Sequence, residues 1–330
     1  PRRFRKSQIG AAWLGLLLLA GVLVWASTWL RPPRPGCLVL LGAGYQENLA
    51  LDENVYGWQS LSDLADVVRD DHFAVWGKHL LQLRQEPQQW RTDTDWEKLL
   101  CSCEQQTLTA VLALHGGADE QGAYLLPHNA TADNQASNRI RLTAVLETLS
   151  KLPHEKYKVL ILDSTAVASN WQLGMLQNDF ARQLEQLTPQ IEAIPNLVVI
   201  SASDVNQRSW NCPELRRTIF LHYVILGLRG GARDENNDGR INAGELHKYV
   251  TRNVRRWSQA NRGMLQTPVL LPKGTVGQRR AEKIDLAIAV ARPEISVPHV
   301  DPSYEDSPEL QEWWQSYATL ANQVPGPESY

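Results

Sequence analysis

Four short, uninterrupted apolar runs constrain this chain more than anything else in it: CLVLLGA (Cys37–Ala43), LTAVLAL (Leu108–Leu114), KVLIL (Lys158–Leu162) and LVVIS (Leu197–Ser201). A strand that faces water on one side alternates apolar and polar residues. These runs do not alternate, so each needs cover on both faces, which is the condition of a buried parallel strand. Segments with helical spacing separate them. Leu61, Leu64, Val67 and Val68 share a face within Ser60–Val68, and helices are also predicted over Thr94–Gln106, Arg141–Leu152, Asp179–Leu187 and Leu215–Leu228. His72–Trp76 and Tyr124–Pro127 read as short edge pieces. Strands alternating with helices predict an α/β fold, a mostly parallel sheet with helices on both faces. In such sheets ligands bind beyond the carboxyl ends of the strands. His115, Asp163-Ser164-Thr165 and Ser201–Ser209 all stand at such ends.

The N-terminus speaks to compartment. A basic tail, residues 1–8, precedes Ile9–Leu30, a stretch without charge. As a helix that stretch rises about 33 Å, enough to cross a hydrocarbon core of roughly 30 Å. Trp25 and Trp29 suit the interface, and four cations before the span against two after it favour a cytoplasmic N-terminus. The expectation is a single-pass membrane protein whose main domain is exported, periplasmic or extracellular. A cleaved signal peptide is the alternative. Residues 31–36 form a Pro-rich spacer, residues 37–280 the main domain, and residues 281–330 a linker and a C-terminal helix. That helix is capped by Ser307-Pro308 and apolar along Leu310, Trp313, Trp314, Tyr317 and Leu320; it reads as the possible opening of a further module.

Composition excludes some classes. The 33 Lys+Arg are balanced by 36 Asp+Glu, for a net charge of −3, so no electrostatic footprint for nucleic acid is present. With 43% hydrophobic residues and 12 Trp the chain has ample material for a core. Four Cys are too few for a disulfide scaffold. Cys101 and Cys103 sit too close together for an unstrained bridge on a helix, Cys37 and Cys212 are the freer pair, and four unpaired thiols are the alternative.

The order LALHGG (112–117), YLLP (124–127), KVLILDST (158–165), LVVISASDVNQRS (197–209), GLRGGARDENNDGRINAGEL (227–246) and QTPVLL (266–271) resembles the caspase-like (caspase/metacaspase) cysteine peptidases, bacterial members especially. The resemblance covers residues 37–275 and implies a three-layer caspase-like sandwich. Family chemistry uses a His base, a Cys nucleophile two residues after the strand-end Asp, and backbone N–H groups as an oxyanion hole. By resemblance His115 is the base and Gly116 the oxyanion donor. The nucleophile position is Thr165. Ala113-Leu114 replaces Ser-Gly before the His, and Ala166-Val167-Ala168 replaces His-Ser-Gly after the nucleophile. A Thr hydroxyl is far less acidic than a thiol and is stiffened by its β-branch. Adjacent Ser164 is primary, but alternation turns it away from His115. Asp204, Gln207 and Ser209, with Asp163, map onto the substrate pocket; an acid there suits Lys or Arg. A turn capped by Asp and Ser is the alternative.

DENNDGRINAGE (234–245) matches a twelve-residue EF-hand loop. Asp234, Asn236 and Asp238 fall at positions 1, 3 and 5, Gly239 at the turn, the Arg240 carbonyl at 7 and Glu245 at 12, before an amphipathic helix bearing Leu246, Tyr249, Val250, Val254 and Trp257. A structural Ca²⁺ is the expected cofactor.

The sequence thus predicts a membrane-anchored, exported, caspase-like pseudo-peptidase that binds a peptide or protein partner in the former substrate cleft. Two alternatives stand beside it: an active hydrolase using His115 with Thr165 or Ser164, and a structural envelope protein on a calcium-braced scaffold.

Overall fold

The computed structural model describes residues 36–45, 51, 53–69, 80–82, 95–127, 130, 139–164 and 178–289. All of them fall in the first of the chain's two units, residues 1–291. The predicted anchor (9–30), the 72–76 strand, Thr165 and the C-terminal helix lie outside the described residues. Among the described residues no helix is long and apolar enough to cross a membrane.

Each apolar run forms a strand. They are β1 (Gly36–Gly42), β3 (Thr107–Ala113), β7 (Tyr157–Leu162) and β8 (Leu197–Ser201); the short β2 (Leu80–Gln82) joins β1 at the edge. The remaining strands are β4 (Gly116–Asp119), β5 (Gly122–Leu125), β6 (Ile140–Arg141), β9 (Asn211–Cys212), β10 (Arg217–Thr218), β11 (Arg240–Asn242), β12 (Val269–Leu271) and β13 (Asp285–Ile288). The central sheet runs β12-β8-β7-β3-β1-β2. Every pairing in it is parallel except β12 against β8. The QTPVLL segment thus supplies a reversed edge strand.

Alternate strand residues feed two cores. Val39, Leu41, Leu108, Leu112, Leu160 and Leu162 pack on one face, and Leu38, Leu40, Val111, Ile161, Val198 and Ile200 on the other. The first face is covered by α2 (Asp95–Cys101), α3 (Leu142–Ser150), α4 (Phe180–Gln186) and α5 (Thr188–Ala193). The second is covered by α1 (Val55–Arg69), α6 (Ile219–Leu226), α7 (Ala243–Arg262) and α8 (Thr275–Ala281). Helices therefore coat both faces of a mixed sheet, as the runs require.

Two differences from expectation have physical causes. The three-stranded β4-β5-β6 sheet follows β3 directly, built from short, partly polar segments that carry no long apolar run. The main domain does not end at 280. Ile284, Leu286 and Ala287 are fully buried, and β13 pairs antiparallel with β11, so the boundary moves past residue 288.

Candidate functional site

Because β3, β7 and β8 are adjacent and parallel, His115, Asp163-Ser164 and Ser201–Ser203 gather at one sheet edge. His115 is only 3% exposed there. Its ring stacks face to face on Tyr45, with centroids 4.5 Å apart and planes 9° from parallel. The His115 N–H donates to the Tyr45 hydroxyl at 3.0 Å, which donates to the Leu126 carbonyl at 2.5 Å. Leu126 N–H closes the ring by donating to the His115 carbonyl at 2.8 Å. Tyr45 reaches this place from the end of β1 by adopting φ of 56°, a left-handed conformation unusual for a tyrosine. Burial pushes its phenol above the ordinary range.

Gly116 is next. A Cβ added there would stand 2.2 Å from the Ser164 carbonyl oxygen and 2.7 Å from the Phe180 ring, so only glycine fits. Asn178 Nδ2 donates to the Gly116 carbonyl at 3.0 Å, and Phe180 N–H to Asn178 Oδ1 at 2.9 Å. The end of β7 is thus held against the residue after His115. Ser164 is 1% exposed, and its hydroxyl finds no hydrogen-bond partner among the described residues.

Asp163 is buried on its own account. Ser209 Oγ donates to its Oδ1 at 3.0 Å, and burial pushes the carboxyl up to about 6 against the Thr218 and Ser209 hydroxyls, which lower it. Ser209 is held in turn by Gln266, itself fully buried. Gln266 Nε2 lies 3.4 Å from Ser209 Oγ and 3.0 Å from the Ala202 carbonyl, and its Oε1 accepts from Trp210 N–H at 3.1 Å. Gln207 is spent differently: its Oε1 accepts the Thr267 N–H at 2.6 Å. Asp204 does not join Asp163. Its Oδ1 accepts Val205 N–H at 2.9 Å and stands 3.6 Å from Lys273 Nζ, which also pairs with Glu185 at 2.7 Å. The crevice beside it is walled by Leu184, Val269, Leu271 and Lys273. The structure therefore brings His115, Gly116, Asp163, Ser164 and Ser209 to the edge, and sets Asp204 and Gln207 to tie down the 203–210 loop.

Tyr45, Asn178 and Thr218 escape sequence reasoning, because each serves the site from a remote element. Gln266 carried a signal, since it opens the QTPVLL motif.

The 234–245 loop has the turn the motif requires, with Gly239 at φ of 80°. Its acids, however, are engaged by the loop's own backbone. Asp234 accepts from Asp238 and Gly239 N–H at 3.2 and 2.8 Å, and Asp238 from Arg240 N–H at 2.9 Å. Glu245 Oε1 accepts from Glu235 and Asn236 N–H at 2.8 and 3.4 Å, and its Oε2 from Asn242 N–H at 2.9 Å, within a capping box. Burial raises both Asp238 and Glu245. Among the described residues no three His, Cys, Asp or Glu are grouped to hold a metal. The oxygen donors have the right chemistry for calcium, and the loop's acids are at the same time held by its own backbone N–H groups.

No known family's profile and no curated protein matches the chain. Among solved structures it is similar to caspase-1 from Spodoptera frugiperda, with 11% identity and a TM-score of 0.45 over 72% of this chain and 86% of that one. It is also similar to a structural-genomics target from Geobacter sulfurreducens, with 12% identity and a TM-score of 0.45 over 72% and 92%.

Proposed function

We propose that this is a caspase-like domain that has given up peptidase chemistry and works by binding a peptide or protein segment at the carboxyl edge of its sheet, held at a membrane by residues 9–30. The observation that carries the reading is the enclosure of His115. A general base must reach the proton it removes, and this imidazole is 3% exposed and stacked flat on Tyr45. Two further features support it. Thr165 stands where the motif order calls for a thiol. Ser164, the other available hydroxyl, is 1% exposed, which speaks against a hydrolase that attacks with it.

The test is incubation of the full chain with arginyl and lysyl reporter peptides, followed by intact-mass measurement. The expected result is no turnover above buffer and no covalent adduct. Thr165→Cys restores a thiol whose anion forms near neutral pH, so it is expected to give at most slow turnover, and only while His115 is intact. Turnover by the wild-type chain that His115→Ala abolishes would overturn the reading.

A further inference from the structure

At the opposite end of the sheet, away from His115, two thiols meet. Cys37 is the second residue of β1 and Cys103 lies in the turn between α2 and β3; they are 1% and 3% exposed and belong to one core. The strand register explains the meeting. Gly36 pairs with Thr107 and Cys37 with Leu108, while Cys103 Sγ lies 3.9 Å from the Thr107 carbonyl. The two side chains pack in the same core at this end of the sheet, on the face that also holds Leu108. Lys156 donates its Nζ to the Cys103 carbonyl, which sets an ammonium beside the pair. Cys101, two residues away, is exposed, and Cys212 belongs to the core on the other face of the sheet. Cys37 and Cys212, the freer pair by spacing alone, are therefore kept apart by the sheet.

We infer that Cys37 and Cys103 are the chain's disulfide-forming pair, a cross-link site joining β1 to the approach of its neighbour β3. The thiols play unequal parts. Hydrogen bonding from Cys37 lowers Cys103 against the rise that burial imposes, with Lys156 helping, while Cys37 is raised. Cys103 is thus the attacking sulfur. Its thiolate attacks a disulfide reagent RSSR, forms a mixed disulfide and releases RS⁻. Cys37 then gives its proton to a released thiolate and attacks the Cys103 sulfur, expelling the second RS⁻. Two protein thiols are oxidised and one RSSR is reduced to two RSH. The export predicted from residues 1–30 would place the chain where such oxidants operate. Burial of both sulfurs dictates when the bond forms, during folding or local opening, since a reagent cannot reach 1% and 3% exposed thiols in the closed domain.

The test refolds the reduced full chain in oxidised and reduced glutathione, blocks residual thiols with N-ethylmaleimide in denaturant, and maps the peptides by mass. The expected result is one internal disulfide, 2 Da lighter than the reduced chain, in a peptide joining Cys37 to Cys103. Cys101 and Cys212 should both carry maleimide. The oxidised form should melt roughly 5–10 °C above the reduced one. That gap should vanish in Cys103→Ala and persist in Cys101→Ser, and Cys37→Ala repeats the first result from the other side. Four blocked thiols after refolding, or a bridge that uses Cys101 or Cys212, would overturn the inference; the peptide map of the wild-type chain decides it without any variant.

Discussion

Asp163 carries a carboxyl whose fold-imposed pKa of about 6 lies above its ordinary 3.8, because burial outweighs the hydroxyls that favour its charge. Folding thus favours the protonated form more than the unfolded chain does. Its contribution to stability is complete below pH 3.8 and is lost as pH rises through 6. Asp163→Asn removes the titration while keeping an acceptor for Ser209. The stability of wild type relative to this variant should therefore fall by on the order of 2–3 kcal/mol between pH 3.5 and 7, read from paired denaturant melts. Tyr45 allows a sharper dissection. Tyr45→Phe retains the ring on His115 but removes the hydroxyl that serves His115 N–H and the Leu126 carbonyl. Leaving these buried backbone groups short of a partner should cost about 1–3 kcal/mol. A melting temperature unchanged by the substitution would mean that the hydroxyl's bonds contribute nothing.

At the scale of an element, the 234–245 loop shows how an acidic turn can hold itself. Asn242 caps α7 through Gly244 and Glu245 N–H, and Glu245 returns to Asn242 N–H while also gathering the N–H groups of Glu235 and Asn236. Arg240, within β11, pairs with Asp285 at 2.6 Å and so fastens the loop to β13. Glu245→Ala frees three N–H donors at once, and should lower stability by about 1–3 kcal/mol even in chelator. Calcium stays a proposal with a direct check. An ion bound only to the native state raises stability by RT ln(1 + [L]/Kd). Melts in excess Ca²⁺ and in chelator that coincide would remove calcium from the account. A rise in Ca²⁺ that Glu245→Gln abolishes would establish it.

For the whole molecule, the consequential element is the last strand described. Ile284, Leu286 and Ala287 fill the second core, and β13 supplies the edge partner of β11. A chain ending at residue 280 leaves that core open and the β11 edge unpaired. It should lose its cooperative melt, whereas a chain ending at residue 291 should keep it. Equal melts for the two would show that β13 is an accessory rather than part of the fold.

The composition of the strands was enough to determine the layering. A run such as CLVLLGA, apolar at every position, has no face to offer water, so helices on both sides follow from the sequence by itself. The amphipathic face of α7 was legible for the same reason: Leu246, Val250 and Val254 are buried where the spacing puts them. The His-Gly and Asp-Ser strand ends were legible as a site because parallel strands bring their carboxyl ends together. What surrounds them was not. Tyr45 reaches His115 across 70 residues, Gln266 reaches Ser209 across 57, and Asp204 turns to Lys273 instead of joining Asp163. The meeting of Cys37 with Cys103 depends on the β1–β3 register. Local propensity acts over a few residues, whereas these partners are chosen by which strands lie side by side and by how far each is shifted along its neighbour. Only the assembled sheet decides that.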